Sequence, residues 1–225
     1  MKKTILITGA AGNLGTAVSE HFIKQGWNVI GTLAPIEKAT NNQVDFHECD
    51  LISESSTESF FRQIKAKYKK LDAVVALVGG FGMNNLSNAT DDDMLKMFHL
   101  NYMTAFHTAK FASEWMNETG GGHLVFIGAK PALEGGASEV LPYAISKSAV
   151  INLAEIINED DNFKNIQAAV IAPSIIDTPP NRKAMSDANF DDWVKPEAIA
   201  KNIYFIVSEE AGVLRDVVFK VYNNA

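Results

Sequence analysis

The sequence predicts an α/β fold in one domain spanning residues 1–225: a doubly wound, seven-stranded, mostly parallel sheet with helices on both faces. Three observations predict it. Short β-branched apolar runs alternate with longer stretches of helical period, the pattern of successive βαβ units. A glycine-rich segment, TGAAGNLG at 8–15, joins the first strand run directly to the first helical run. A chain of 225 residues that is 47% hydrophobic and 21% charged has enough apolar matter for one sizeable core and lies far from the composition of disordered chains.

Taken in order, TILIT (4–8) is the first strand, and the stretch 14–25 repeats apolar residues at helical spacing before Gly26, suited to a left-handed C-cap. NVIGTL (28–33) and the weaker VDFHE (44–48) are the next two strands, and 57–68 the second helix. AVVALV (73–78) is an apolar strand fit for the middle of a parallel sheet. The helical region 91–117 opens with TDDD, where Thr90 caps and the aspartates face the positive end of the helix dipole. HLVFIGA (123–129), a helix over 143–157, IQAAVIAP (166–173), a helix over 195–209 with Pro196 in its first turn, and DVVFKVY (216–222) complete the series.

Composition narrows the function. A formal net charge of −7 argues against a phosphate-tracking surface and hence against nucleic acid as partner; a small molecule fits better. The one cysteine, Cys49, forms no internal disulfide, which points to the cytoplasm. The opening MKKTILITGAAG is read as a buried strand rather than a leader, because its apolar run ends within a few residues, and no run approaches the roughly 18 apolar residues of a membrane span. Histidines 21, 47, 99, 107 and 123 show no metal-ligand spacing, so no metal is expected.

The chemistry begins at the glycines. Gly9, Gly12 and Gly15 follow a strand and open a helix, the arrangement that lets backbone approach a pyrophosphate and sets the helix amides against its charge. This is a Rossmann-like site for NADP or NAD. An acid that would read the ribose belongs near the end of the second strand, but Thr32, Leu33 and Ala34 stand there, and no arginine is present to hold a 2′-phosphate. Without the acid, and with Lys38 nearby, the sequence leans slightly to NADP.

LPYAISKSAV (141–150) places Tyr143 and Lys147 one helical turn apart on one face. An ammonium at about 5–6 Å and an effective dielectric near 20 favours phenolate by roughly 3 kcal/mol, or about 2 pK units. Tyr143 is therefore expected to be an acid tuned downward by Lys147, with burial opposing.

Together, TGAAGNLG, CDL (49–51), Asn101, YAISK (143–147) and APSIIDT (172–178) resemble, in order and over nearly the whole chain, the short-chain dehydrogenase/reductase family. Within it, VGGFG (78–82), GAKPALEGG (128–136) and DTPPNRKAMSDANFDDW (177–193) are most similar to the dihydropteridine reductases. The resemblance implies that Gly9, Gly12, Asn13, Leu14 and Gly15 line the pyrophosphate, and that Asp50 and Leu51 flank the adenine, though an Asp after a strand also caps turns. It implies that Gly79 and Gly80 pass beside the cofactor, that Pro173, Ser174, Ile176 and Thr178 hold the nicotinamide end, and that Lys147 also bonds the nicotinamide ribose. Tyr143, Lys147 and Asn101 are the catalytic set, Asn101 as anchor of a water chain, although a mid-helix Asn also bonds locally.

The family's usual polarising serine is missing: Gly128, Ala129 and Lys130 surround its place, and Ser138 is close only in sequence. That shifts the expected substrate from a simple ketone towards a conjugated ring such as a quinonoid dihydropterin. Phe81 is placed to flank a flat substrate, and Met185, Phe190 and Trp193, in a substrate loop at about 177–194, to form either a mobile lid or packing. The resemblance also implies a homodimer or homotetramer. A dinucleotide-sensing protein with little turnover is the alternative to a reductase, favoured by the missing serine and opposed by the intact Tyr143–Lys147 pair.

Overall fold

Seven strands form one sheet in the order β3-β2-β1-β4-β5-β6-β7. The computed structural model describes residues 2–35, 37–39, 41–214 and 216–225. The strands are β1 (Thr4–Thr8), β2 (Asn28–Leu33), β3 (Val44–Glu48), β4 (Ala73–Ala76), β5 (Gly122–Ile127), β6 (Ile166–Pro173) and β7 (Val218–Val221). Every pairing is parallel, so the expected "mostly parallel" sheet is wholly so. The chain winds outward from β1 in one direction to β3 and then restarts beside β1 at β4. That reversal is the switch point, where open α/β sheets hold their ligands beyond the carboxyl ends of the strands.

The helices are α1 (Asn13–Lys24), α2 (Glu54–Lys67), α3 (Asp91–Met97), α4 (Thr104–Glu118), α5 (Leu141–Glu159), α6 (Pro179–Ala184) and α7 (Pro196–Ile206). Two cores flank the sheet because side chains alternate along each strand. Ile5 and Ile7 of β1 join Val18, Phe22, Ile199 and Ile203 of α1 and α7 on one face. Leu6 joins Phe60, Ile64, Trp115, Met116 and Val150 of α2, α4 and α5 on the other.

Boundaries moved where local chemistry overrode hydrophobic pattern. β4 stops at Ala76, two residues short of expectation, because Leu77 and Val78 turn their amides to the Thr8 hydroxyl at 3.0 and 3.3 Å. β5 ends at Ile127 and β7 covers only 218–221. α2 starts three residues early, since Ser53 caps it by accepting from the Ser56 amide. The predicted helix at 195–209 is α7 followed by a separate 3₁₀ turn, Glu209–Val213.

Thr90 caps α3 as expected, in a reciprocal box with Asp93: the Thr90 hydroxyl accepts from the Asp93 amide and the Asp93 carboxylate from the Thr90 amide. The helix read as continuous over 91–117 is instead broken by a π-helical stretch, Phe98–Met103, with Asn101 inside it. No helix among the described residues is long and apolar enough to cross a membrane.

Candidate active site

The carboxyl ends of β1, β2, β3 and β4 open onto a cleft of about 350 Å³ whose lining includes Gly9, Gly12, Thr32, Asp50, Leu51 and Gly79. Five of the residues expected at the cofactor (Gly9, Gly12, Asp50, Leu51 and Gly79) are thus brought to one wall. Gly9 sits at φ +63° and gives its amide to the Thr32 hydroxyl at 3.1 Å, which seats the loop on β2. Gly12 is the extended N-cap of α1, and no side chain caps that helix. The first-turn amides, including those of Asn13, Leu14 and Gly15, are therefore free of side-chain competition for an anion. A Cβ on Gly15 would run into the Gly9 carbonyl oxygen, so the loop closes this tightly only with glycine there.

Asp50 and Leu51 serve the cleft differently. Asp50 accepts from the Ile52 amide at 3.0 Å, so one carboxylate oxygen is spent on the turn that precedes α2. Leu51 is buried, and its carbonyl oxygen is 2.9 Å from His107 Nδ1. His107 is thus a packing histidine, and among the described residues no group of three or more His, Cys, Asp or Glu is placed to hold a metal.

Beyond β4 the loop is pinned from beneath. Asn101, 1% exposed, accepts from the Gly80 amide at 2.7 Å, and its side-chain amide donates to the Gly80 carbonyl at 3.2 Å and to Ser146 Oγ at 2.9 Å. Ser146 in turn donates to the Tyr143 carbonyl at 2.7 Å. A Cβ on Gly79 would lie 2.5 Å from Asn101 Oδ1 and 3.2 Å from Lys147 Nζ, so the backbone passes directly over both side chains. Ser146 was missed from the sequence. Its signal was the turn spacing within YAISK, which puts it on the inner side of α5 beside Lys147.

Tyr143 and Lys147 lie on α5 as expected. Lys147 is 6% exposed and donates to the Ile127 carbonyl at 2.8 Å, fixing its head at the end of β5. Tyr143 is half-buried, with the Phe81 ring edge-to-face at 5.0 Å. The expected direction of tuning is overturned. Burial pushes the Tyr143 phenol up to about 12 and the Lys147 ammonium down to about 8. Desolvation disfavours both charged forms, and it is the cause of both shifts.

At the far side, Pro173 ends β6 next to β5. Ser174 Oγ is buried with no hydrogen-bond partner among the described residues, an orphan polar atom with its hydrogen-bonding capacity unspent. Ile176 bridges to Val194, and its carbonyl accepts from Asn181 Nδ2 at 2.8 Å. Thr178 spends its hydroxyl on capping α6. The segment 173–178 does not line the cleft at β1 to β4 but lies two strands along the same sheet edge.

The segment 177–194, expected to be a substrate loop, contains the short helix α6. Its aromatic Trp193 is 3% exposed and acts as an anchor, with Phe190 against it at 4.8 Å and the Arg182 guanidinium over Phe190 at 4.7 Å. Met185 is exposed. Around the serine-less position, Ala129 is buried, Lys130 donates to the Ala225 carbonyl at 3.0 Å, and Ser138 is exposed in a 3₁₀ turn.

A glycine cradle, an uncapped helix N-terminus and an orphan hydroxyl along one sheet edge fit a dinucleotide. A sequence model of the family described as short chain dehydrogenase matches residues 3–189. The chain belongs to the short-chain dehydrogenase family. A dihydropteridine reductase from Dictyostelium discoideum is 32% identical over 91% of this short-chain dehydrogenase and 87% of its own length. A 7alpha-hydroxysteroid dehydrogenase from Bacteroides fragilis is 27% identical, covering 93% and 88%. Among solved structures, ElxO with NADP bound superposes with a TM-score of 0.89 at 24% identity, covering 98% and 97%, which shows the shared fold. The ligand-free aldohexose dehydrogenase of Thermoplasma acidophilum gives 0.86 at 22%, covering 98% and 92%. The family makes the chain an oxidoreductase that uses a nicotinamide dinucleotide.

Proposed function

We propose that this short-chain dehydrogenase is a reductase of small conjugated or carbonyl compounds, a quinonoid dihydropterin first among them, with Tyr143 as proton donor. The observation that carries the proposal is the cluster on α5: Tyr143 against an exposed aromatic, Lys147 one turn along and buried at the end of β5, and a glycine strip crossing over Asn101 and Lys147. The 32% identity to a dihydropteridine reductase supports the pterin arm.

In this reading the α1 amides of Asn13, Leu14 and Gly15 hold the pyrophosphate, Asp50 and Leu51 border the adenine, and Ser174 Oγ meets the nicotinamide end. Reduced nicotinamide, when bound, supplies the hydride. A phenol held up to about 12 is protonated throughout the neutral range, so Tyr143 is ready to give a proton and is not a standing base. Lys147 commits one of its three N–H groups to Ile127, leaving two for a ribose hydroxyl and for the phenolate formed as Tyr143 gives up its proton. Asn101 acts through the loop: its amide fixes Gly80 and, by way of Ser146, the backbone of Tyr143. With Ala129 where a hydroxyl would polarise a carbonyl, an already electrophilic substrate suits the site best.

Loss of nicotinamide absorbance with quinonoid dihydropterin, quinones and small aliphatic carbonyls tests the proposal. Turnover is expected to be fastest with the conjugated compounds. Tight dinucleotide binding with no turnover on any of them would instead establish a sensor.

A further inference from the structure

The acid that the sequence lacks at the end of β2 is returned by the fold from farther along the chain. Glu37 lies beyond the strand, and its amide bonds the Ala34 carbonyl at 3.0 Å while its carboxylate accepts from the Ala34 amide at 2.8 Å. This reciprocal turn folds the carboxylate back to the strand end, where Glu37 joins Thr32, Ala34 and Asp50 in the wall of the dinucleotide cleft. The Ala34 amide occupies one carboxylate oxygen, Oε2, and an ionised carboxylate has lone pairs left on both.

We propose that Glu37 selects the cofactor by accepting a hydrogen bond from the 2′-hydroxyl of the adenosine ribose, so that this chain prefers NADH to NADPH. The proposal rests on the cleft being the dinucleotide site and reverses the lean to NADP drawn from the sequence. Two features besides Glu37 point the same way. Asp50 adds a second carboxylate to this end of the cleft, and no lysine or arginine appears among its described lining residues. Lys38, the neighbouring cation, is exposed and not part of that wall. A 2′-phosphate carries about −1.5 to −2 charge near neutral pH and needs Arg or Lys partners; here it would meet two carboxylates.

Binding alone tests this, through the fluorescence of NADH and NADPH and the calorimetry of 5′-AMP and 2′,5′-ADP. The native chain is expected to bind NADH and 5′-AMP at least about tenfold more tightly than their phosphorylated counterparts. Glu37→Gln, which keeps an acceptor for the Ala34 amide and removes the charge, is expected to bring each ratio to within about threefold. Lys38→Gln, at an exposed cation outside that wall, is expected to change the ratios by less than about twofold. Equal or tighter binding of NADPH by the native chain, or a ratio that Glu37→Gln leaves unmoved, overturns the assignment. If none of the four ligands binds, the dinucleotide reading of the cleft fails first and the proposal falls with it.

Discussion

The proposed pyrophosphate end of the site is built from backbone, and the proposed reaction end from side chains. The first consists of Gly9, Gly12 and the uncapped head of α1, with the Thr32 hydroxyl seating Gly9. At the second, Asn101 and Ser146 are bonded into a chain that runs from Gly80 to the Tyr143 carbonyl, and Lys147 is held beside it by the Ile127 carbonyl. A backbone site depends on what is absent, a Cβ at Gly15 or Gly79. A side-chain site depends on its surroundings, which here reverse the charge tuning that simple spacing implies.

The largest effect that separates the two ends comes from Tyr143→Phe. Removing one hydroxyl is expected to cut kcat by about 10²–10⁴-fold, the range for a lost general acid, while NADH affinity stays nearly constant. Steady-state kinetics beside cofactor fluorescence measures both, and full activity in the variant rules Tyr143 out as donor. Gly15→Ala should do the converse. Its new Cβ runs into the Gly9 carbonyl, so the loop must open. NADH affinity is expected to fall at least about tenfold, or 1.4 kcal/mol, with some loss of unfolding temperature. Unchanged affinity would show that the cradle is not where the dinucleotide binds.

That asymmetry also explains what the sequence could disclose. All seven strands were legible, because two-sided burial writes β1, β2, β4 and β6 as apolar runs. The glycine loop was legible because steric exclusion allows one residue type. The π-helical turn at 98–103 was not: it keeps an apolar helical pattern and differs only in how Asn101 is aimed. Nor was Glu37, since a residue beyond a strand reaches back only through a turn closed by its own side chain. The Tyr143 pKa was misjudged because helical spacing reports a neighbour's charge but not the depth of burial around both groups.

Lys147 offers a smaller but sharper test. Its ammonium is lowered to about 8 by burial, whereas the unfolded chain holds that proton to about 10.4. Between those values the unfolded state binds more protons, so the lysine's destabilising contribution is full below about pH 8 and fades as pH rises to about 10.4. The native chain is therefore expected to gain unfolding temperature relative to Lys147→Met on going from about pH 7 to about pH 9.5. Activity should run the other way, with kcat/KM falling above about pH 8 as the cation that stabilises the Tyr143 phenolate is lost. Parallel unfolding temperatures for the two proteins across this range would mean that Lys147 is not buried as a charge.

Phe81 marks the boundary between the two kinds of construction, a large side chain held out by a glycine-rich strip. It is 61% exposed, yet its ring meets Tyr143 edge-to-face at 5.0 Å. An apolar ring left in water beside the proposed proton donor gains contact when a flat substrate lies on it. Aromatic pairs contribute about 0.5–1.5 kcal/mol beyond burial, so Phe81→Ala is expected to raise KM for a conjugated ring by about two- to tenfold. KM for a small aliphatic carbonyl and affinity for NADH should hardly move, and Phe81→Trp should restore the ring substrate. A uniform rise in KM across both substrate classes would instead mean that Phe81 only braces Tyr143, placing it with Asn101 and Ser146 in the framework rather than at the substrate.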